Sequence, residues 1–130
     1  MPHITIEYSA NLDPRLALPA LIDALHAVAA TIEAFPLAGL RTRAVRRDHY
    51  RVADGHPDNA FVHVVLRIAH GRPLAVREAA GAAIFAVLCH ELQPLLDSSP
   101  LAVSFEIQEI DPVLNYKHGN LREYMARRST

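Results

Sequence analysis

The two halves of this chain carry the same succession of patterns, and that duplication limits the possible folds more than any other feature. From His3 to Tyr8 the residues alternate, with Ile4, Ile6 and Tyr8 on one side and His3, Thr5 and Glu7 on the other, as in a half-buried strand. From Leu18 onward the apolar residues Leu21, Ile22, Leu25, Val28, Ala29 and Ile32 recur at spacings of three and four, one stripe of a helix. Asp13 before Pro14 and the later Pro19 offer two alternative starts for it, and Pro36 is expected to end it. Leu40 to about Val52 then reads as an Arg-rich strand. The order repeats with a strand from Phe61 to Ala69, a turn at His70-Gly71-Arg72-Pro73, and a helix carrying Leu74, Ile84, Leu88 and Leu92. Pro94 is expected to end or kink that helix, and Leu101 to Ile110 reads as the fourth strand. His3 and His63 stand at the same place in the two halves, and Pro36-Leu37-Ala38 and Pro100-Leu101-Ala102 introduce both second strands.

A strand–helix–strand unit used twice predicts an α+β fold. Each right-handed crossover makes its two strands parallel, and both units share one four-stranded mixed sheet with two long helices on one face. Such a fold is a single domain over 1–130, with repeat units at about 1–55 and 60–115 and a polar tail, 116–130, holding a short helix near Leu121 to Met125. A chain of 130 residues buries a core without staples. Its 51% hydrophobic and 21% charged content, with a net charge of −1, suits a globular protein and points away from nucleic acid as a partner. Cys89 is the only cysteine, so it reads as a small core residue in a reducing compartment. The opening residues MPHITIEYS lack a basic leader and an apolar run, and no 18-residue apolar stretch stands out. These features lead us to expect a soluble cytoplasmic protein without a membrane partner.

The chemistry starts at Pro2. Once Met1 is removed, proline at the head of a chain is a secondary amine that takes up or releases a proton on one atom, whereas an acylated proline has no such capacity. An α-amino group titrates near pH 8, so it needs burial and neighbouring cations to be a neutral base at pH 7. Cations of the right kind are abundant: 12 of the 13 basic residues are Arg, with Lys117 the exception, and guanidinium groups hold carboxylates by forked hydrogen bonds. Arg41 and Arg43 lie two apart on one strand and share a face, which is either a substrate-binding wall or a solvated edge. His49, His56, His63 and His70 are spaced by seven, but Asp54, Gly55 and Pro57 break any helix that would align them, so no metal site is expected. Ser98-Ser99 lacks a nucleophile-elbow context, and no glycine loop for phosphates is present.

Proline after the initiator Met on a short first strand, a doubled strand–helix–strand unit, and PLAGLRTR at the second strand together resemble the tautomerase superfamily. The blocks FPLAGLRTR, VADGHPDNAFVHVVLRI, GRPL and LAVSFEIQEIDPVLNYK are similar to its 5-carboxymethyl-2-hydroxymuconate Δ-isomerase family, over nearly the whole chain. That resemblance implies a homotrimer, no metal and no organic cofactor, a place in homoprotocatechuate breakdown, and a di- or tricarboxylate enol as substrate. It implies that Pro2 is the catalytic amine and that Arg41 and Arg72 bind carboxylate and act in catalysis; Arg43 is a further substrate-binding candidate. Arg15, in the turn NLDPRLAL, departs from the family pattern and receives no role. Two other readings stay open: a tautomerase of another keto–enol acid such as phenylpyruvate, and a non-catalytic small-molecule-binding module indifferent to Met1.

Overall fold

The alternating first segment becomes the centre of the sheet. In the computed structural model, which describes residues 1–129, the strands are β1 (His3–Ser9), β2 (Arg41–Arg47), β3 (Ala60–Ala69) and β4 (Leu101–Ile110). They lie in the order β2-β1-β3-β4. β1 and β2 run parallel, β3 and β4 run parallel, and the two pairs meet antiparallel through β1 and β3. The sheet is therefore mixed, as the duplicated crossover predicts. Helices α1 (Leu18–Ala30) and α2 (Leu74–Ser98) cover one face, and a short α3 (Leu121–Arg128) ends the tail.

The core lies between that face and the helices. Ile4 and Ile6 of β1, Val62, Val64 and Leu66 of β3, Leu21 and Leu25 of α1, and Ile84, Leu88 and Leu92 of α2 are fully buried. Side chains alternate along a strand, so His3, Thr5 and Glu7 fall on the other, helix-free face. That face is rich in charge, and Glu7 there pairs with Arg47 at 2.6 Å.

Several boundaries differ from expectation, each for a local reason. α1 starts with Pro19 in its first turn, while Asp13 does not cap it and instead accepts a 2.6 Å hydrogen bond from Arg46. α1 ends at Ala30 rather than running to Pro36: the Thr31 hydroxyl donates to the Val28 carbonyl, and the chain turns so that Phe35 enters the core. β2 stops at Arg47 rather than near Val52. Beyond it Ala53 and Gly55 take positive φ, and the Asn59 amide donates to the Val52 carbonyl and the Asp54 carboxylate, which holds a loop instead of a strand. Pro94 does not end α2, which continues through it to Ser98. Pro94 and His90 are both on the exposed side, where water can satisfy the His90 carbonyl that loses its donor. The expectation that no long apolar stretch exists also needs correction, since α2 is long and apolar enough to cross a membrane. Alanines at 75, 79, 82, 83 and 86 raise its hydropathy, while its large residues Ile84, Leu88 and Leu92 are committed to the core.

Candidate active site

The site forms at the end of the sheet where β1 and β2 begin and β3 and β4 finish. His3 sits in register with Arg41 on one side and Arg67 on the other. The Arg41 backbone N–H donates to the Pro2 carbonyl at 3.1 Å, so Pro2 is fixed immediately ahead of the ladder. Pro2 is buried, and having no N–H it leaves no donor unpaired there. The 3-10 turn Leu37–Gly39, which interrupts the approach to β2, lies against it. A Cβ added to Gly39 would come within 3.5 Å of Pro2 Cδ and 3.4 Å of Met1 Cα, so this turn closes directly over the head of the chain.

Two of the three expected arginines are brought to this point. Arg41, half-buried, donates from Nη1 to the Gly39 carbonyl at 2.8 Å, which aims its guanidinium at the turn and leaves its other donors free for a ligand. Arg72 donates to the Ala69 carbonyl at 3.2 Å and from Nη2 to the Ala34 carbonyl, and its guanidinium carbon stands 5.7 Å from the centroid of the buried Phe35 ring. Residues from two crossovers thus hold one cation in place. The terminal amine of Met1 is held below the ordinary α-amino range, first by burial and then by the positive charges of Lys117, Arg72 and Arg41.

Arg43 does not join this group. Although it shares a strand face with Arg41, it is exposed and its Nη1 donates to His3 Nδ1 at 3.1 Å, beside a separate cavity. Arg15 lies at the opposite end of the sheet, donating to Ser99 Oγ at 2.7 Å. His63 is within 2.6 Å of Ser104 Oγ and 3.2 Å of Glu106, and His70 is 3.3 Å from Glu109. Among the described residues no group of three or more His, Cys, Asp or Glu side chains is placed to hold a metal ion.

The tail supplies what sequence reasoning missed. After β4 it crosses the end of the sheet, and α3 packs against the 3-10 turn Leu37–Gly39. A cavity of about 300 Å³ results, lined by Met1, Gly39, Arg41, Lys117, His118 and Arg122 among others. Lys117 was legible in one respect, because it closes the block LAVSFEIQEIDPVLNYK. His118 and Arg122 follow that block and carried no signal.

Comparison with known proteins agrees along the chain. A family model described as 5-carboxymethyl-2-hydroxymuconate isomerase matches residues 2–125. A 5-carboxymethyl-2-hydroxymuconate Delta-isomerase from Escherichia coli is 40% identical over 121 residues, spanning 93% of this chain and 96% of that one. A crystal structure of a 5-carboxymethyl-2-hydroxymuconate delta-isomerase superposes with a TM-score of 0.90 at 32% identity, over 96% of this chain and 93% of the other. A 5-carboxymethyl-2-hydroxymuconate isomerase from Deinococcus radiodurans R1 gives 0.87 at 37% identity, over 95% and 93%.

Proposed function

The chain belongs to the 5-carboxymethyl-2-hydroxymuconate isomerase family, and from that membership we propose that Pro2, freed of Met1, is the base and acid of its isomerase reaction. Removal of Met1 opens the imino nitrogen of Pro2 into the space that Met1 lines beside Gly39 and Arg41. In the reaction Pro2 accepts the proton of the 2-hydroxyl, and the electron pair of the O–H bond becomes the new 2-oxo group. The diene shifts, and the Pro2 ammonium returns a proton to C5, so that a 2-hydroxy-2,4-diene becomes a 2-oxo-3-ene with no net gain or loss of atoms or electrons. Arg41 and Arg72 each hold a carboxylate, and with Lys117 they oppose the negative charge that the dienolate accumulates.

The observation that carries this reading is that Lys117, Arg72 and Arg41 all act to lower the pKa of the Met1 amine, one residue from Pro2 at the start of β1. The same cations that bind the substrate favour the neutral form of an amine placed there, so one arrangement serves both ends of the proton transfer. The test is intact-mass measurement of the mature protein followed by assay of Pro2→Ala. We expect a mass lacking Met1 and a fall in kcat of about 10² to 10⁴-fold in the variant, the usual contribution of a positioned acid–base group. Full turnover by a chain that keeps Met1 sinks the proposal.

We also propose that three copies assemble. Family resemblance points that way, and the surface supports it: the outward residues Leu74 and Phe85 of α2 and Val113, Leu114 and Tyr116 of the tail are exposed.

A further inference from the structure

We propose that Arg43, Arg67 and His3 form a second anion subsite, which receives the third carboxylate of the substrate; this rests on the reading above, in which Arg41 and Arg72 take the other two. Three strands build it. His3 stands on β1 in register with Arg67 of β3, and Arg43 of β2 faces Thr5 one step along, all on the face away from the helices. The tail runs alongside them, and an open cavity of about 410 Å³ is lined by His3, Arg43, Arg67, Leu114, Asn115 and Tyr116 among others.

The positive charges facing this cavity are not balanced by a carboxylate of the described residues. Arg46, Arg47 and Arg77 each have a carboxylate partner, at 2.6, 2.6 and 3.6 Å. Among the described residues no carboxylate lies within ion-pair distance of Arg43 or Arg67. The residue on β4 beside Arg67 is the neutral Gln108. Two guanidinium groups facing one cavity with no counter-charge form a surface that an anion completes.

His3 is fitted to the same task. A guanidinium only donates, so the 3.1 Å contact from Arg43 Nη1 makes His3 Nδ1 the acceptor and places the ring proton on Nε2. Burial, and then Arg43, Arg41, the chain terminus and Arg67, keep the ring neutral by lowering its pKa. The subsite therefore offers N–H donors from three side chains. On β2, Arg43 stands one strand repeat, about 7 Å, beyond Arg41 and on the same face.

Calorimetry on the full chain, with propane-1,2,3-tricarboxylate and glutarate as non-reacting probes, tests this directly. We expect the unaltered protein to bind the tricarboxylate at least about tenfold more tightly than glutarate, the effect of one charge-assisted contact. In Arg67→Gln and Arg43→Gln that preference collapses towards unity, and Arg67→Lys, which keeps the charge but loses the fork, restores part of it. Both arginines are exposed, and the thermal midpoint of each variant checks that the fold persists. An unchanged preference in both Gln variants overturns the proposal. So does a response confined to inorganic phosphate, which would mark a free-anion site instead. The ratio of kcat/KM for 5-carboxymethyl-2-hydroxymuconate over 2-hydroxymuconate is expected to fall at least tenfold in parallel. If neither enol is turned over by the unaltered protein, the catalytic reading fails while the calorimetry still judges the subsite.

Discussion

Pro2 occupies a position that few residue types tolerate: buried, pressed on Gly39, and joined to β2 only through its carbonyl. Around it the charges have separable effects. Lys117 lowers the pKa of the neighbouring Met1 amine more than Arg72 or Arg41 does, although burial outweighs all three, and the freed amine of Pro2 is expected to feel the same charges. Deleting a cation makes the ammonium form easier to keep, so the pKa rises and the neutral base is reached only at higher pH. Lys117→Ala is therefore expected to move the acidic limb of the kcat/KM profile to higher pH, and Arg72→Ala to move it in the same direction by less. A downward shift in either profile contradicts this electrostatic account. Arg72→Ala also removes a carboxylate contact and a charge opposing the dienolate, for which we expect kcat/KM to fall about 10² to 10³-fold. Arg72→Lys is not a conservative change, because the fork that reaches both the Ala34 and Ala69 carbonyls is lost.

Among the elements, α2 carries the core and the tail carries the site. Leu88 is fully buried beneath the sheet, and Leu88→Ala should lower unfolding free energy by about 2–5 kcal/mol in urea titration, the ordinary range for such a cavity. The tail has no buried residue in α3 and depends on local ties. The Asp111 carboxylate accepts from the backbone N–H groups of Val113 and Leu114, both at 2.8 Å, and these bonds hold its pKa below the usual range. Because the folded value is the lower one, this tie is present above the ordinary Asp range and is lost as pH falls through the depressed value. Asp111→Ala should accordingly speed amide hydrogen exchange at Val113 and Leu114 and lower kcat/KM by releasing Lys117, whereas unchanged exchange would show that the tail is held elsewhere. The strands and helices were legible because burial imposes a period on their residues; Leu101 to Ile110 is the strand as read. The boundary errors at the ends of α1 and β2 fall where side-chain hydrogen bonds decide, at Thr31 and Asn59. Arg41 and Arg72 were singled out through their motifs, whereas Arg67, His118 and Arg122, now candidates for the proposed site, were not. Their roles come from cross-strand register and from a loop returning over the sheet, and neither leaves a local pattern.

At the scale of the whole molecule, among the described residues the sheet leaves two outer edges, those of β2 and β4, without a neighbouring strand. β4 pairs only with β3, so its other edge is open. Beside it Phe85 of α2 meets Phe105 of β4 at 6.3 Å between ring centroids, in a broad apolar groove that also includes Gly81 and Ile107. A trimer offers a way to cover this groove and the exposed tail residues at once. Sedimentation equilibrium is expected to return three times the 14.3 kDa chain mass, and Phe85→Glu to shift the population towards single chains with a lower, concentration-independent thermal midpoint. A single-chain mass for the unaltered protein would remove the assembly from the proposal.

The strand order has a consequence for biosynthesis. Because β1 is an inner strand, its partners lie at residues 41–47 and 60–69, and the leading end of a chain emerging from the ribosome has nothing to dock on until both have been made. For that interval it stays fully accessible to an aminopeptidase, and afterwards the turn at Gly39 and the returning tail lie against it. The proposed trimming of the initiator residue thus becomes a matter of timing, easiest before the sheet closes.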